Sequence, residues 1–149
     1  MKNIIDVYPN RILDLDLVVI TNPNIKQIQS RYTYTNGDPI RDDLLGNNVG
    51  MAAVFLDKKT KVDVLVVMLI CIPEHMQDKS DFEQSCYMVN TIGHECLHIL
   101  LDTFDIINDV ISSKSQEMPA YYMGWLVECV YRTWIKSNDT LQKRKKTKG

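Results

Sequence analysis

The sequence predicts an α+β domain in which a small, mostly antiparallel sheet packs on one long helix, with a second helix alongside. Three observations carry this. Two apolar runs, MAAVFLD and VDVLVVMLI, flank the polar stretch KKTK and read as a hairpin. Ser80 and Glu83 stand at capping-box spacing, and no proline interrupts the chain from there to about Phe104. A last segment, from about Glu117 to Ile135, has its one proline at Pro119, where a first helical turn tolerates it.

The remaining elements follow in chain order. LDLVVIT, from Leu15 to Thr21, reads as a first strand, short and rich in valine. In NPNIKQIQSRY, Asn22 is placed as an N-cap and Pro23 at the first helical position, with Ile25 and Ile28 sharing one face of a short helix. YTYTNGDPIRDDLLGNNVG carries Asn-Gly, Asp-Pro and Gly-Asn-Asn punctuation and reads as turns and loop. The second hairpin run is nearly continuous in Val, Leu, Met and Ile, as a strand buried on both faces would be. DIINDVISSKSQ joins the two long helices.

At 149 residues, with 45% hydrophobic and 24% charged side chains, the chain is expected to make one globular domain over residues 1–135. Residues 136–149, KSNDTLQKRKKTKG, carry six basic residues against one acidic and read as a disordered tail. The rest carries 11 basic against 18 acidic residues, and a basic tail on an acidic body also admits contact with nucleic acid. MKNIIDVYPNR lacks the apolar stretch of a signal peptide, and Val64 to Ile72 is too short to span a bilayer. The expected location is the cytoplasm, with no membrane partner. Cys71, Cys86, Cys96 and Cys129 show no paired spacing and are expected to be reduced and buried.

The chemistry lies in GHECLHILLD, residues 93–102, where His94, Glu95 and His98 spell HExxH. On a helix, residues four apart share a face, so both imidazoles can reach one Zn2+ ion. Glu95 stands about 100° around from His94, beside the ion, and is free to act as a base on metal-activated water. With 3 histidines and 5 glutamates in the chain, chance yields this pattern roughly two times in a thousand. Against it stands the bland reading of two core histidines with partners. That reading is disfavoured because two imidazoles and a carboxylate on so apolar a helix are costly to bury unpaired.

A catalytic zinc needs a third protein ligand and one open position. The only other histidine, His75, lies upstream in a loop, and as a transition-state donor it is less expected than as an ordinary loop residue. Asp102 continues the His94–His98 face but is carried away along the axis, so it suits a hydrogen bond to an imidazole N–H. Glu117 and Glu128 share a face of the last helix about 16 Å apart, so only one of them can reach the metal. Glu117, which opens that helix, is preferred. Tyr121, one turn on, is a candidate donor to an oxyanion or to the Glu117 carboxylate. Tyr121, Tyr122 and Trp125 otherwise read as core, Cys96 as buried and inert, and Gly93 as a close approach of the preceding strand.

HExxH followed by a glutamate on a second helix is the gluzincin pattern of zinc metallopeptidases. More narrowly, TIGHECLHILLD with QEMPAYYMGWL resembles the small zincin-like metallopeptidases encoded by tailed bacteriophages. In those, a valine-rich hairpin precedes the HExxH helix, and a Glu-(x)2-Ala-Tyr segment ending in Gly-Trp opens the next. The resemblance covers roughly Val49 to Ile135. It implies a minimal zincin-like fold, zinc ligands at His94, His98 and Glu117, and Glu95 as catalytic base. It further implies a peptide or protein substrate laid along the hairpin's edge strand. The chain departs from the pattern where a glycine is usual after the first helix, and FDIIND stands instead. The alternative it carries is a non-catalytic structural or assembly protein of the virion, with other phage structural proteins as partners.

Overall fold

The structure, a computed structural model, describes residues 3–10, 12–112 and 114–146, with side chains as far as Asn138. Five strands form one sheet: β1 (Ile4–Tyr8), β2 (Leu17–Thr21), β3 (Tyr32–Tyr34), β4 (Gly50–Asp57) and β5 (Asp63–Leu69). They lie in the order β1-β2-β5-β4-β3, antiparallel except for the parallel pair β2–β5. The described residues also form three α-helices: α1 (Ile25–Arg31), α2 (Asp81–Ile106) and α3 (Glu117–Lys146). The architecture is α+β with a mixed sheet.

The two central strands explain the apolar runs. On β2 and β5, Leu17, Val19, Leu65, Val67 and Leu69 pack with Ile92, Cys96 and Ile99 of α2 and Leu126 and Val130 of α3. Alternate residues, Val18, Ile20, Val64, Val66 and Met68, pack on the opposite face with Ile28, Ile40 and Phe55. A strand has period two, so a sheet covered on both sides requires apolar residues at every position of its central strands. The hairpin expected from the sequence is present, with Gly50 opposite Leu69 and Leu56 opposite Asp63.

Several expectations need correction. An edge strand, β1, precedes the first anticipated one, and β3 lies in the stretch read as loop. The cap of α1 is Asn24, whose side chain accepts from Gln27 N–H. Asn22 instead takes a left-handed φ of 48°, and its side-chain oxygen accepts the Cys71 N–H at 3.0 Å. Its turn thereby ties β2 to the end of β5. Cys71, Cys96 and Cys129 are buried, but Cys86 is exposed.

The last helix does not stop near Ile135. It runs to Lys146, so most of the segment read as a disordered tail is helical, and residues 147–149 lie outside the described residues. The first residues past Ile135 are held by partners on β1 and β2. Ser137 is buried and shares a 2.5 Å hydrogen bond with Thr21, itself fully buried. Thr133 Oγ1 bonds to Asp6 Oδ2 at 2.8 Å and to Tyr8 Oη at 2.9 Å, and Lys136 Nζ reaches the same Asp6 oxygen at 2.6 Å. The helix continues because its polar groups there have places to go.

The capping box at the start of α2 is complete, with Ser80 accepting from Glu83 N–H and Glu83 accepting from Ser80 N–H. At the other end, Asn108 adopts φ 53°. Its N–H donates to Asp105 O at 3.1 Å, and Asp109 N–H donates to Phe104 O at 3.0 Å. These two bonds make a Schellman motif, in which a left-handed residue usually supplied by glycine closes the helix. Asn108 fills that role in FDIIND, since asparagine is the residue other than glycine best suited to it.

Candidate metal centre

Helix α2 presents three faces along its length. Cys96, Ile99 and Thr103 point toward the core and α3, and Thr91 and Glu95 meet the start of β4. His94 and His98 are exposed between β4 and solvent. The argument that burial disfavours an unpaired histidine pair therefore does not apply. What the structure provides instead is a distance. His94 Nε2 and His98 Nε2 lie 3.2 Å apart. Two nitrogens each ~2.0–2.1 Å from one tetrahedral ion lie roughly 3.3 Å apart, so the spacing is compatible with a chelating pair. The same spacing suits an N–H···N hydrogen bond between two neutral imidazoles.

Glu95, one residue on, is 7% exposed. Burial pushes its carboxyl above the ordinary carboxylate value, against the pull of His94 and His98. It lines one open depression of ≈ 370 Å³ with both histidines, Asp102, Asn48 and the first residues of β4. The Asp102 carboxyl is likewise raised by burial, and His98 pulls it the other way. Toward the start of α2 a second depression, which shares His94, Glu95, Asn48 and Gly50, adds Tyr87, Asn90 and Thr91. His75, on the 3-10 turn Glu74–Met76, sits edge-on to Tyr87 with ring centroids 5.1 Å apart.

Comparison with protein-family models, with curated proteins and with solved structures finds no match for the chain. The chemistry of the site is therefore read from its own geometry.

That geometry brings His94, Glu95, His98 and Asp102 together and leaves Glu117 and Tyr121 apart. Glu117 is exposed at the first turn of α3, and Tyr121 is 76% exposed. Two features keep them away. The bond between Thr103 Oγ1 and Tyr122 Oη, 3.1 Å, fixes where the helices face each other. In an antiparallel pair Glu117, five residues before Tyr122, then falls beyond the end of α2, roughly 15 Å from the level of His98. In addition α3 packs on the Cys96–Thr103 side of α2, which a helical wheel sets nearly opposite His94. Among the described residues no three His, Cys, Asp or Glu side chains converge on one point. The imidazole pair fits a zinc ion by spacing and donor type. The carboxylate that would complete the set is not supplied by Glu117 here.

The sequence also pointed to the wrong glycine. A Cβ on Gly93 would meet nothing within 4 Å, whereas one on Gly50 would lie 2.7 Å from Glu95 Oε1, 2.8 Å from Glu95 Cγ and 3.0 Å from Thr91 Cγ2. The close approach of strand and helix is at Gly50. Its only trace in the sequence is the punctuation NNVG, which reads as loop.

Proposed function

We propose that the chain is a zinc-dependent peptidase of zincin type, with His94 and His98 as metal ligands and Glu95 as the catalytic base. One observation carries the reading: two exposed imidazoles at chelating distance, with a desolvated carboxylate in the same depression. Zinc, when bound, supplies Lewis-acid chemistry that polarises the scissile carbonyl and acidifies a water. Glu95, held neither as ligand nor in an ion pair, accepts a proton from that water and returns it to the leaving amine. Asp102 borders the same depression and feels the charge of His98, but it makes no hydrogen bond to either imidazole. Glu117 serves as third ligand only if the start of α3 shifts toward the pair.

An extended peptide is the substrate class the sheet supports. β3 pairs only with Phe55, Leu56 and Asp57, so among the described residues no strand covers the outer edge of β4 from Gly50 to Val54. That free edge borders the histidines and offers main-chain hydrogen bonds to an added strand.

The second reading is a virion structural or assembly protein that keeps the fold without turnover. The position of Glu117 favours it, because a two-histidine site lacks the usual three-ligand set of a catalytic zinc. Metal analysis and hydrolysis of a mixed peptide library separate the two. The expected result is one zinc per chain in wild type and in Glu95→Gln, little zinc in His94→Ala, and cleavage by wild type alone. Cleavage by Glu95→Gln equal to wild type would remove the base assignment. Zinc without any cleavage would leave the assembly role.

A further inference from the structure

The strand that borders the candidate centre carries a size gradient on the face it turns to α2. Gly50, Ala52 and Val54 alternate with Met51, Ala53 and Phe55, and the first set shares its face with Leu69 and Val67 of β5. From valine to alanine to glycine, the side chains shrink toward the histidine end. The strand thus converges on the helix, and at Gly50 its backbone fits into the notch between Thr91 and Glu95, which stand four apart on one face of α2. No side chain fits there, since even a methyl would lie within 3.0 Å of three atoms of those two residues.

We infer that Gly50 is a positioning residue: its bare backbone presses on the Glu95 side chain and holds the carboxylate in the depression it shares with His94 and His98. This rests on the reading of Glu95 as the base. A glutamate on a helix surface has three rotatable bonds and would otherwise sample many rotamers. Here the strand closes one side of that space, so the carboxylate is held before substrate arrives. Catalytic geometry is sensitive to such placement, and a displacement of about 1 Å can lower a rate by roughly a hundredfold. A methyl at Gly50 cannot be accommodated unless Glu95 swings out, whereas none of the three atoms nearest to it belongs to a histidine.

The test joins kinetics to a stability cycle. For Gly50→Ala, kcat should fall at least tenfold with KM within about twofold and zinc content unchanged, the split expected of a displaced base. Thermal unfolding of Gly50→Ala should show a loss of several degrees from overpacking, and that loss should largely vanish in the Gly50→Ala/Glu95→Ala double variant. Full kcat in Gly50→Ala would overturn the inference. So would an equal loss of Tm, or equal failure to fold, with and without the Glu95 side chain. If wild type cleaves no peptide, the peptidase reading fails while the stability cycle still decides whether Gly50 holds Glu95.

Discussion

Asp57, nearly fully buried at the end of β4, accepts the Lys59 N–H at 2.8 Å and two guanidinium N–H groups of Arg31 at 3.1 and 3.2 Å. Burial raises its pKa, but these donors outweigh burial and leave it below the ordinary carboxylate value. A depressed folded pKa gives stability that is fully present above the unfolded value and is lost as pH falls through the folded one. Asp57→Asn is expected to lower stability at neutral pH by about 1–3 kcal/mol. It should also flatten the acid limb of a urea-midpoint profile taken from neutral pH down to ~3. An acid limb as steep as that of wild type would assign it to other carboxylates. Asp57 had no signature in the sequence because the guanidinium that holds it belongs to Arg31, 26 residues away. His94, Glu95 and His98 did, because helical spacing alone puts two of them on one face. Gly50 did not, because its role is defined by a helix that begins 31 residues further on.

At the scale of elements, the ends of α2 show how much local chemistry decides. The capping box was readable from Ser80 and Glu83 because both partners lie within one turn. Asn108 was not recognised as the left-handed closing residue, although asparagine is the common substitute for glycine there. Asn108→Gly should therefore be neutral or stabilising by up to ~1 kcal/mol, because it removes the residual cost of positive φ. Asn108→Val should cost about 1–2 kcal/mol in thermal unfolding. If valine were tolerated as well as glycine, the Schellman closure would not be holding the helix end. The strands β1 and β3 were missed for another reason. Each is short and only partly buried, so neither shows the alternation that identifies a longer strand.

For the whole molecule, the sequence marked the end of the domain at Ile135, and the structure moves it outward. Lys136 and Ser137 belong to the packed body through Asp6 and Thr21. Removing residues 136–149 should cost about 1–3 kcal/mol, because it leaves the buried Thr21 hydroxyl and the Asp6 carboxylate short of partners. A truncated chain with the Tm of the full one would return those residues to the status of a tail. The antiparallel pairing of α2 and α3 was legible from the short connection between them. The side of α2 on which α3 packs was not, since that depends on which apolar residues of both helices meet the sheet. That choice keeps Glu117 from the histidines.

The bond from Thr21 to Ser137 spans 116 residues, and that from Tyr8 to Thr133 spans 125. At synthesis rates of ~5–20 residues per second, a ribosome would take on the order of ten seconds to make the partner that β2 awaits. Until β5 is made, partway through that interval, apolar β2 has only its hairpin neighbour β1. The nascent chain thus offers a chaperone an apolar binding segment until β5 is made. Refolding of the released protein belongs with the slow, non-local topologies, whose rates lie in the millisecond-to-second range.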